Sequence, residues 1–169
     1  CKRMGIPVLP PNINESFGGF TVVKNEKTGN DEIRFGLFTI KNFGEGIGNS
    51  IIAERKKGGK FRSLVDFLDR IKDKNLNKKS LEALIKCGAM DELEKRDIML
   101  GNLLDLLAYN KEKNKSNDNQ NSLFSGLSES SISNLKLKET PPTTTTEKLA
   151  WEKELLGLYI SGHPLDNFK

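Results

Sequence analysis

A polar segment at residues 112–146 places the strongest limit on how this chain of 169 residues can fold. It opens with a run rich in Lys, Asn and Asp and ends with four consecutive threonines at 143–146. The segment holds too little apolar surface to offset the entropy lost when a chain becomes ordered. We therefore expect a disordered linker here, with packed structure on either side of it. The Leu-Phe pair of the peptide Gln-x-x-Leu-Phe at residues 120–124 has no core of its own to join, so it indicates an anchor for a pocket on another molecule.

The chain before the linker changes from short strands to helices. Residues 20–23 and 32–37 have the composition of two strands around a turn at 27–31. From about Ile40, apolar residues recur at spacings of three and four, which predicts short helices at residues 46–57, 63–71, 79–87 and 95–111. A further helix follows the linker, with Thr146 as its expected N-cap. The predicted fold is mainly α, with a short β entry, a helical bundle, a disordered linker and a C-terminal helix.

Residues 37–52 have the pattern of a helix-hairpin-helix, because apolar residues flank a glycine-rich turn. Such a turn exposes backbone N–H groups at the start of its second helix, where they can hold a DNA phosphate without contacting the bases. The usual turn is Gly-hydrophobe-Gly, whereas this one is Asn42-Phe43-Gly44; Asn is the non-glycine residue that best tolerates a left-handed backbone. An ordinary glycine turn and a nucleotide-binding loop are the alternatives, although the glycines lack the Gly-x-Gly-x-x-Gly spacing of the loop.

A second hairpin is expected at residues 81–91, where a Cys-Gly-Ala turn separates two helical patterns. Paired hairpins would bury each other's apolar faces in one compact domain. The stretch between the two turns is basic, since residues 53–79 contain ten Lys or Arg against four Asp or Glu. A local basic surface suits a polyanion, and it would bind phosphates in a salt-dependent way. Lys56, Lys57 and Lys60 are the candidate contacts, and a solvated helical face rich in Lys is the alternative.

The chain lacks the residue patterns that catalysis and metal binding need. The single histidine, His163, stands beside a proline in an expected turn, and Asp66 and Asp69 have the spacing of solvated helix charges. We therefore expect no catalytic residue and no metal site in this chain. The two cysteines form no disulfide framework, no apolar run reaches the length of a membrane span, and no signal peptide is present. These features predict a cytoplasmic protein that does not contact a membrane.

Five segments, in order along the chain, carry a resemblance to a known family. They are Gly-Ile-Pro-Val-Leu-Pro-Pro from residue 5, Ile-Arg-Phe-Gly-Leu from residue 33, Ile-Lys-Asn-Phe-Gly-Glu from residue 40, Leu-Ile-Lys-Cys-Gly-Ala-Met-Asp from residue 84, and the stretch from Glu147 to Asp166. The sequence thereby resembles the bacterial replicative DNA polymerase III alpha subunits from about residue 2 to residue 168. Residues 110–146, outside the pentapeptide, lack this likeness.

The resemblance implies a domain order as well as an activity. Residues 1–36 would end the fingers region with short strands, residues 37–111 would form a tandem helix-hairpin-helix domain that binds DNA, residues 112–146 would be a flexible linker with the pentapeptide, and residues 147–169 would be a helix leading towards an OB-fold. The chain would be a fragment of a DNA-directed DNA polymerase, a nucleotidyltransferase of chromosomal replication. Its catalytic carboxylates and Mg²⁺ would lie in a palm domain upstream, so this fragment would need no cofactor. The alternative is a freestanding helix-hairpin-helix DNA-binding adaptor without polymerase activity.

The resemblance also assigns partners to particular residues. In the family the hairpin domain holds duplex DNA behind the active site, which points here to Lys41, Asn42, Gly44 and, at the opening of the next helix, Gly46. Other replicase subunits are expected as further partners.

An internal pentapeptide in the same place in the family binds the ring-shaped sliding clamp. Gln120, Leu123 and Phe124 match its positions. The glutamine amide can form paired hydrogen bonds, while Leu and Phe suit an apolar cleft.

Overall fold

The computed structural model describes residues 5–118 and 137–160, together with Gly162 and Leu165. Three groups of predictions therefore concern residues outside this part of the chain: the clamp-binding set Gln120, Leu123 and Phe124, the disorder expected between residues 119 and 136, and the turn at His163. Within the described ranges, no helix has both the length and the apolar character needed to cross a membrane.

The β entry is a small three-stranded sheet. Its strands are β1 (Val8–Leu9), β2 (Thr21–Lys24) and β3 (Asp31–Arg34), in the order β1-β3-β2. Strand β3 pairs antiparallel with β2 and parallel with β1. The two strands expected at 20–23 and 32–37 are thus confirmed with shifted ends. Strand β3 ends at Arg34, and the next residue, Phe35, is buried in the core. Strand β1 lies between Pro7 and Pro10.

In the rest of the described residues, the elements are six helices and a turn of 3-10 helix at Leu37–Thr39. Their bounds are α1 (Glu45–Gly58), α2 (Leu64–Arg70), α3 (Lys78–Lys86), α4 (Arg96–Gly101), α5 (Leu103–Asp118) and α6 (Thr145–Leu156). The predicted class, mainly α with a short β entry, is confirmed.

Apart from shifts of one residue, three features of the helices differ from the predictions. The single helix expected at 95–111 is divided at Asn102, whose side-chain amide donates to the carbonyl of Ile98 at 2.7 Å in competition with the helical pattern. Helix α5 then continues to Asp118, so residues 112–118, which the sequence assigns to the linker, are helical. Helix α6 is capped by Thr144 rather than Thr146, because the Thr144 hydroxyl accepts from the N–H of Glu147 at 3.2 Å in a capping box.

One hydrophobic core unites the elements on both sides of the polar segment. Ile47 and Ile51 of α1, Phe67 of α2 and Leu84 of α3 are all buried in it. Leu155 of α6 belongs to the same cluster, and α6 packs against α3. Each such side chain contributes roughly 1.5–3 kcal/mol by leaving water. The C-terminal helix is therefore part of the hairpin domain's core up to Leu156.

Candidate nucleic-acid interface

The first hairpin turn has the left-handed residue that its sequence predicts. Asn42 has a φ of 65° and is the one non-glycine residue with positive φ in the described part of the chain. Phe43 is buried beneath the turn, whereas Lys41 and Asn42 are exposed. The element before the turn is only the 3-10 turn Leu37–Thr39, so the first arm of this hairpin is shorter than the helix that the motif usually contains.

Helix α1 begins at the turn with an open N-terminus. Gly44 is its N-cap, and no side chain caps the first N–H groups. The first three N–H groups of a helix have no acceptor inside the helix and, together with the helix dipole, favour an anion. Glu45 is exposed in the first turn and opposes such an anion.

A depression of about 270 Å³ lies between the starts of α1 and α3. One wall is the hairpin, with Asn42, Gly44 and Gly46, and the other wall contains the start of α3 and the residues before it: Asn75, Asn77, Lys79 and Ser80. Gly46 lines this depression, and a Cβ there would contact the Nδ2 atom of Asn75 at 3.4 Å. Backbone N–H groups, side-chain amides and an ammonium group thus border one opening, which is the donor set that a phosphate requires.

Lys56, Lys57 and Lys60 lie at the other end of α1. Lys56 and Lys57 are exposed in its last turn, about 20 Å from its first residue by the rise of an α-helix. The ammonium group of Lys60 is 3.9 Å from the carboxylate of Glu15, on the side of the N-terminal loop. The structure therefore does not bring these lysines together with the hairpin set of Lys41, Asn42, Gly44 and Gly46.

Two arginines of the basic window, Arg55 and Arg70, serve the fold. Arg70 pairs with Glu54 at 3.2 Å and with Asp66 at 3.3 Å, and its guanidinium lies 4.5 Å from the centre of the Phe61 ring. Arg55 donates to the carbonyl of Ile13 at 2.8 Å, and burial lowers the pKa of its guanidinium. Exposed lysines, rather than these arginines, are the cations available to a partner.

The second hairpin turn is buried. Cys87 and Ala89 are 0% and 1% exposed, and the N–H of Ile13 donates to the carbonyl of Ala89 at 3.1 Å. Burial raises the pKa of the Cys87 thiol to about 12, which keeps it neutral. The turn at Gly88, with a φ of 87°, packs against the buried Arg96. Its backbone groups thus serve the core rather than a surface.

Sequence reasoning missed the residues on the far wall of the depression. Asn77 and Ser80 form a capping box at the start of α3, in which the Asn77 side chain accepts from the N–H of Ser80 at 3.0 Å. The pattern Asn-x-x-Ser is a recognisable signal for such a helix start. The sequence did not predict that the start of α3 lies beside α1. The Ser50 hydroxyl of α1 donates to the Asp73 carboxylate, and this bond is the largest cause that lowers the pKa of Asp73.

The described residues hold no group of three or more His, Cys, Asp or Glu side chains that could bind a metal ion.

Comparisons with known proteins agree with this geometry. The family described as "Helix-hairpin-helix motif" matches residues 5–98. The DNA polymerase III subunit alpha of Neisseria meningitidis serogroup B is 42% identical over 97% of this chain and 14% of its own length. The corresponding subunits of Thermus aquaticus and Borreliella burgdorferi are 39% and 42% identical, over 98% and 99% of this chain and 13% and 14% of their own lengths. The chain spans about one seventh of these relatives, and the resemblance to alpha subunits is confirmed. The chain belongs to the helix-hairpin-helix family, and nearly all of it is similar to one segment of the DNA polymerase III alpha subunits.

Proposed function

We propose that this chain holds duplex DNA by its phosphates, without contacting the bases, as the helix-hairpin-helix part of a replicative DNA polymerase. The observation that carries the proposal is the depression where the uncapped start of α1 meets Lys79. Its N–H and ammonium donors suit the phosphate backbone, and nothing in its donor set selects one base over another. The family match and the names of the relatives support the same function.

The activity of the whole subunit extends this proposal. We place the chain in a cytoplasmic DNA-directed DNA polymerase, a nucleotidyltransferase of chromosomal replication that works with other replicase subunits. Catalytic carboxylates and Mg²⁺ would belong to another part of that enzyme. The role of this chain would be to hold the duplex during synthesis.

The pentapeptide at 120–124 would bind the sliding clamp through Gln120, Leu123 and Phe124. The sequence pattern supports this proposal, and so does the position of the peptide between two segments that pack against the same core. Helix α5 packs on α2 and α3 before it, and Leu137 packs against the same core after it. A peptide held in this way keeps the clamp close to the duplex-binding surface, so that a weak contact gives a high effective concentration.

Replacing Gly44 by Asp tests the phosphate site, because the two expected effects have opposite signs. The backbone of Gly44, with φ −79° and ψ 149°, accepts any residue, and an Asp there would cap α1 and raise stability by a few tenths of a kcal/mol. Its carboxylate would also occupy the N–H groups and repel a phosphate. We expect affinity for duplex DNA to fall roughly tenfold while the melting temperature holds or rises.

Gly44→Ser is the matched control, since serine caps the helix without a charge. Fluorescence anisotropy with a duplex of arbitrary sequence gives the affinities, and circular dichroism gives the melting temperatures. If Gly44→Asp binds the duplex as tightly as Gly44→Ser, the start of α1 does not contact phosphate.

A further inference from the structure

The segment that joins α2 to α3, residues 71–77, runs alongside α1. Near the end of α1 a depression of about 390 Å³ has Lys57 on one wall and Lys72 and Asp73 on the other. Near the start of α1 the depression described above has Gly46 on one wall and Lys79 on the other. Later residues of the connection therefore meet earlier residues of α1, and the two run antiparallel.

Internal hydrogen bonds fix this connection in place. The Ser50 hydroxyl, from the middle of α1, donates to the Asp73 carboxylate. The same carboxylate accepts from the N–H of Asn75 at 2.8 Å, and the capping box of Asn77 and Ser80 closes the segment. Its side chains are thus held on a rigid backbone, which reduces the entropy that binding would cost.

The connection and the start of α3 carry four exposed lysines, Lys72, Lys74, Lys78 and Lys79. The described residues offer none of the four an ion pair. Two nearby acids are already engaged, since Glu54 pairs with Arg70 and Asp73 accepts from Ser50 and Asn75. Glu154 lines a separate depression with Lys79 and offsets part of the charge at this end. The positive charge of this surface is therefore available to a polyanion.

We infer that these four lysines form the main phosphate-binding track of the domain and join the two ends of α1 into one surface. At one end the track meets the hairpin at Asn42 and Gly44, and at the other it meets Lys57. The length of α1, about 20 Å, corresponds to roughly six base pairs along a strand. The duplex backbone would thus follow the connection, whereas the buried second hairpin turn would make no contact. This inference rests on the proposed function and specifies which residues would contact the DNA.

A fourfold substitution in the complete chain tests the track. The variant K72Q/K74Q/K78Q/K79Q removes the four charges, and K24Q/K27Q/K95Q/K138Q removes four exposed lysines elsewhere as a matched control. Anisotropy titrations of a duplex of about 20 base pairs, repeated over a series of salt concentrations, give the affinity and its salt dependence. We expect the track variant to lose at least about tenfold in affinity and about 3 in the slope of log K against log salt, since each phosphate contact contributes about 0.9. The control should change both quantities much less.

The outcomes separate the two proposals. If the wild-type chain does not bind duplex DNA, the proposed function is wrong. If it binds and the track and control variants lose equal affinity and slope, the binding is general electrostatic attraction and the track is wrong. Circular dichroism verifies folding, and the pairs K72Q/K74Q and K78Q/K79Q replace the fourfold variant if that variant fails to fold.

Discussion

Three buried asparagines, Asn14, Asn102 and Asn110, each bond the backbone of a segment distant in sequence. The Asn14 side chain donates to the carbonyl of Phe61 at 3.2 Å and accepts from its N–H at 2.8 Å, and Asn110 donates to two carbonyls at the end of α2. An amide side chain has both a donor and an acceptor, so it can pair with a peptide group in the way that a strand does. These three asparagines therefore link distant segments that are not joined by strand pairing.

Asn42 serves the fold through its backbone rather than its side chain. Because its φ is 65°, replacement by Ala should destabilise the chain by about 1 kcal/mol, whereas replacement by Gly should be close to neutral. Urea denaturation followed by circular dichroism measures both changes. Equal losses for the two variants would show that the Asn42 side chain, not the left-handed backbone, matters for stability.

At the level of elements, the break between α4 and α5 anchors the chain that enters α6. The Asn102 side chain accepts from the N–H of Lys138 and donates to its carbonyl, both at 2.9 Å. Beside it, Gly101 makes room for the Thr140 side chain, which a Cβ at that position would strike. The segment from Leu137 towards α6 is thus attached to the domain before the helix starts.

Replacing Asn102 by Ala should detach this segment. The buried amide makes two bonds to Lys138, so the loss should be about 1–3 kcal/mol, with increased hydrogen exchange at the Lys138 amide. Asn110→Ala is the control, because it removes buried bonds to α2 and leaves the Lys138 amide paired. Unchanged exchange at Lys138 in the Asn102 variant would contradict the anchoring role.

Helix α6 also contacts the hairpin directly. The carbonyl of Leu155, at the end of α6, accepts from the N–H of Lys41 at 2.9 Å. The residue before the left-handed turn is therefore fixed by an element that follows the polar segment. Chain on both sides of residues 119–136 contributes to the proposed DNA surface.

For the whole molecule, the proposed functions place duplex binding and clamp binding on one chain. Replacing Leu123 and Phe124 by Ala in the full-length protein, which we propose to be a polymerase, should lower affinity for the clamp at least about tenfold, because buried apolar anchors dominate such contacts. Synthesis on a short template should remain, since it does not require the clamp. A clamp titration and a primer-extension assay measure the two effects.

Leu127→Ala with Leu135→Ala is the matched control for that test. It removes two apolar residues from the same polar segment, outside the pentapeptide. If both double variants weaken clamp binding equally, hydrophobicity in general, not the pentapeptide, would attract the clamp.

Local spacing was sufficient to predict three of the helices and the turn of the first hairpin. Apolar residues at three- and four-residue intervals predicted α1, α2 and α3, because this period belongs to the helix itself. The tolerance of asparagine for positive φ likewise predicted the backbone of Asn42. The hairpin half of the candidate site therefore followed from short-range preferences.

The rest of the site depended on contacts between residues far apart in the chain. The bond from Ser50 to Asp73 sets the connection beside α1, and the bond from Ile13 to Ala89 accompanies the burial of the second turn. Neither pairing leaves a periodic signal, since its energy comes from packing that many segments share. For this reason the sequence alone predicted two hairpins and a basic window. The tertiary structure assigned the far wall to Asn75, Asn77 and Lys79 and separated the hairpin from Lys56 and Lys60.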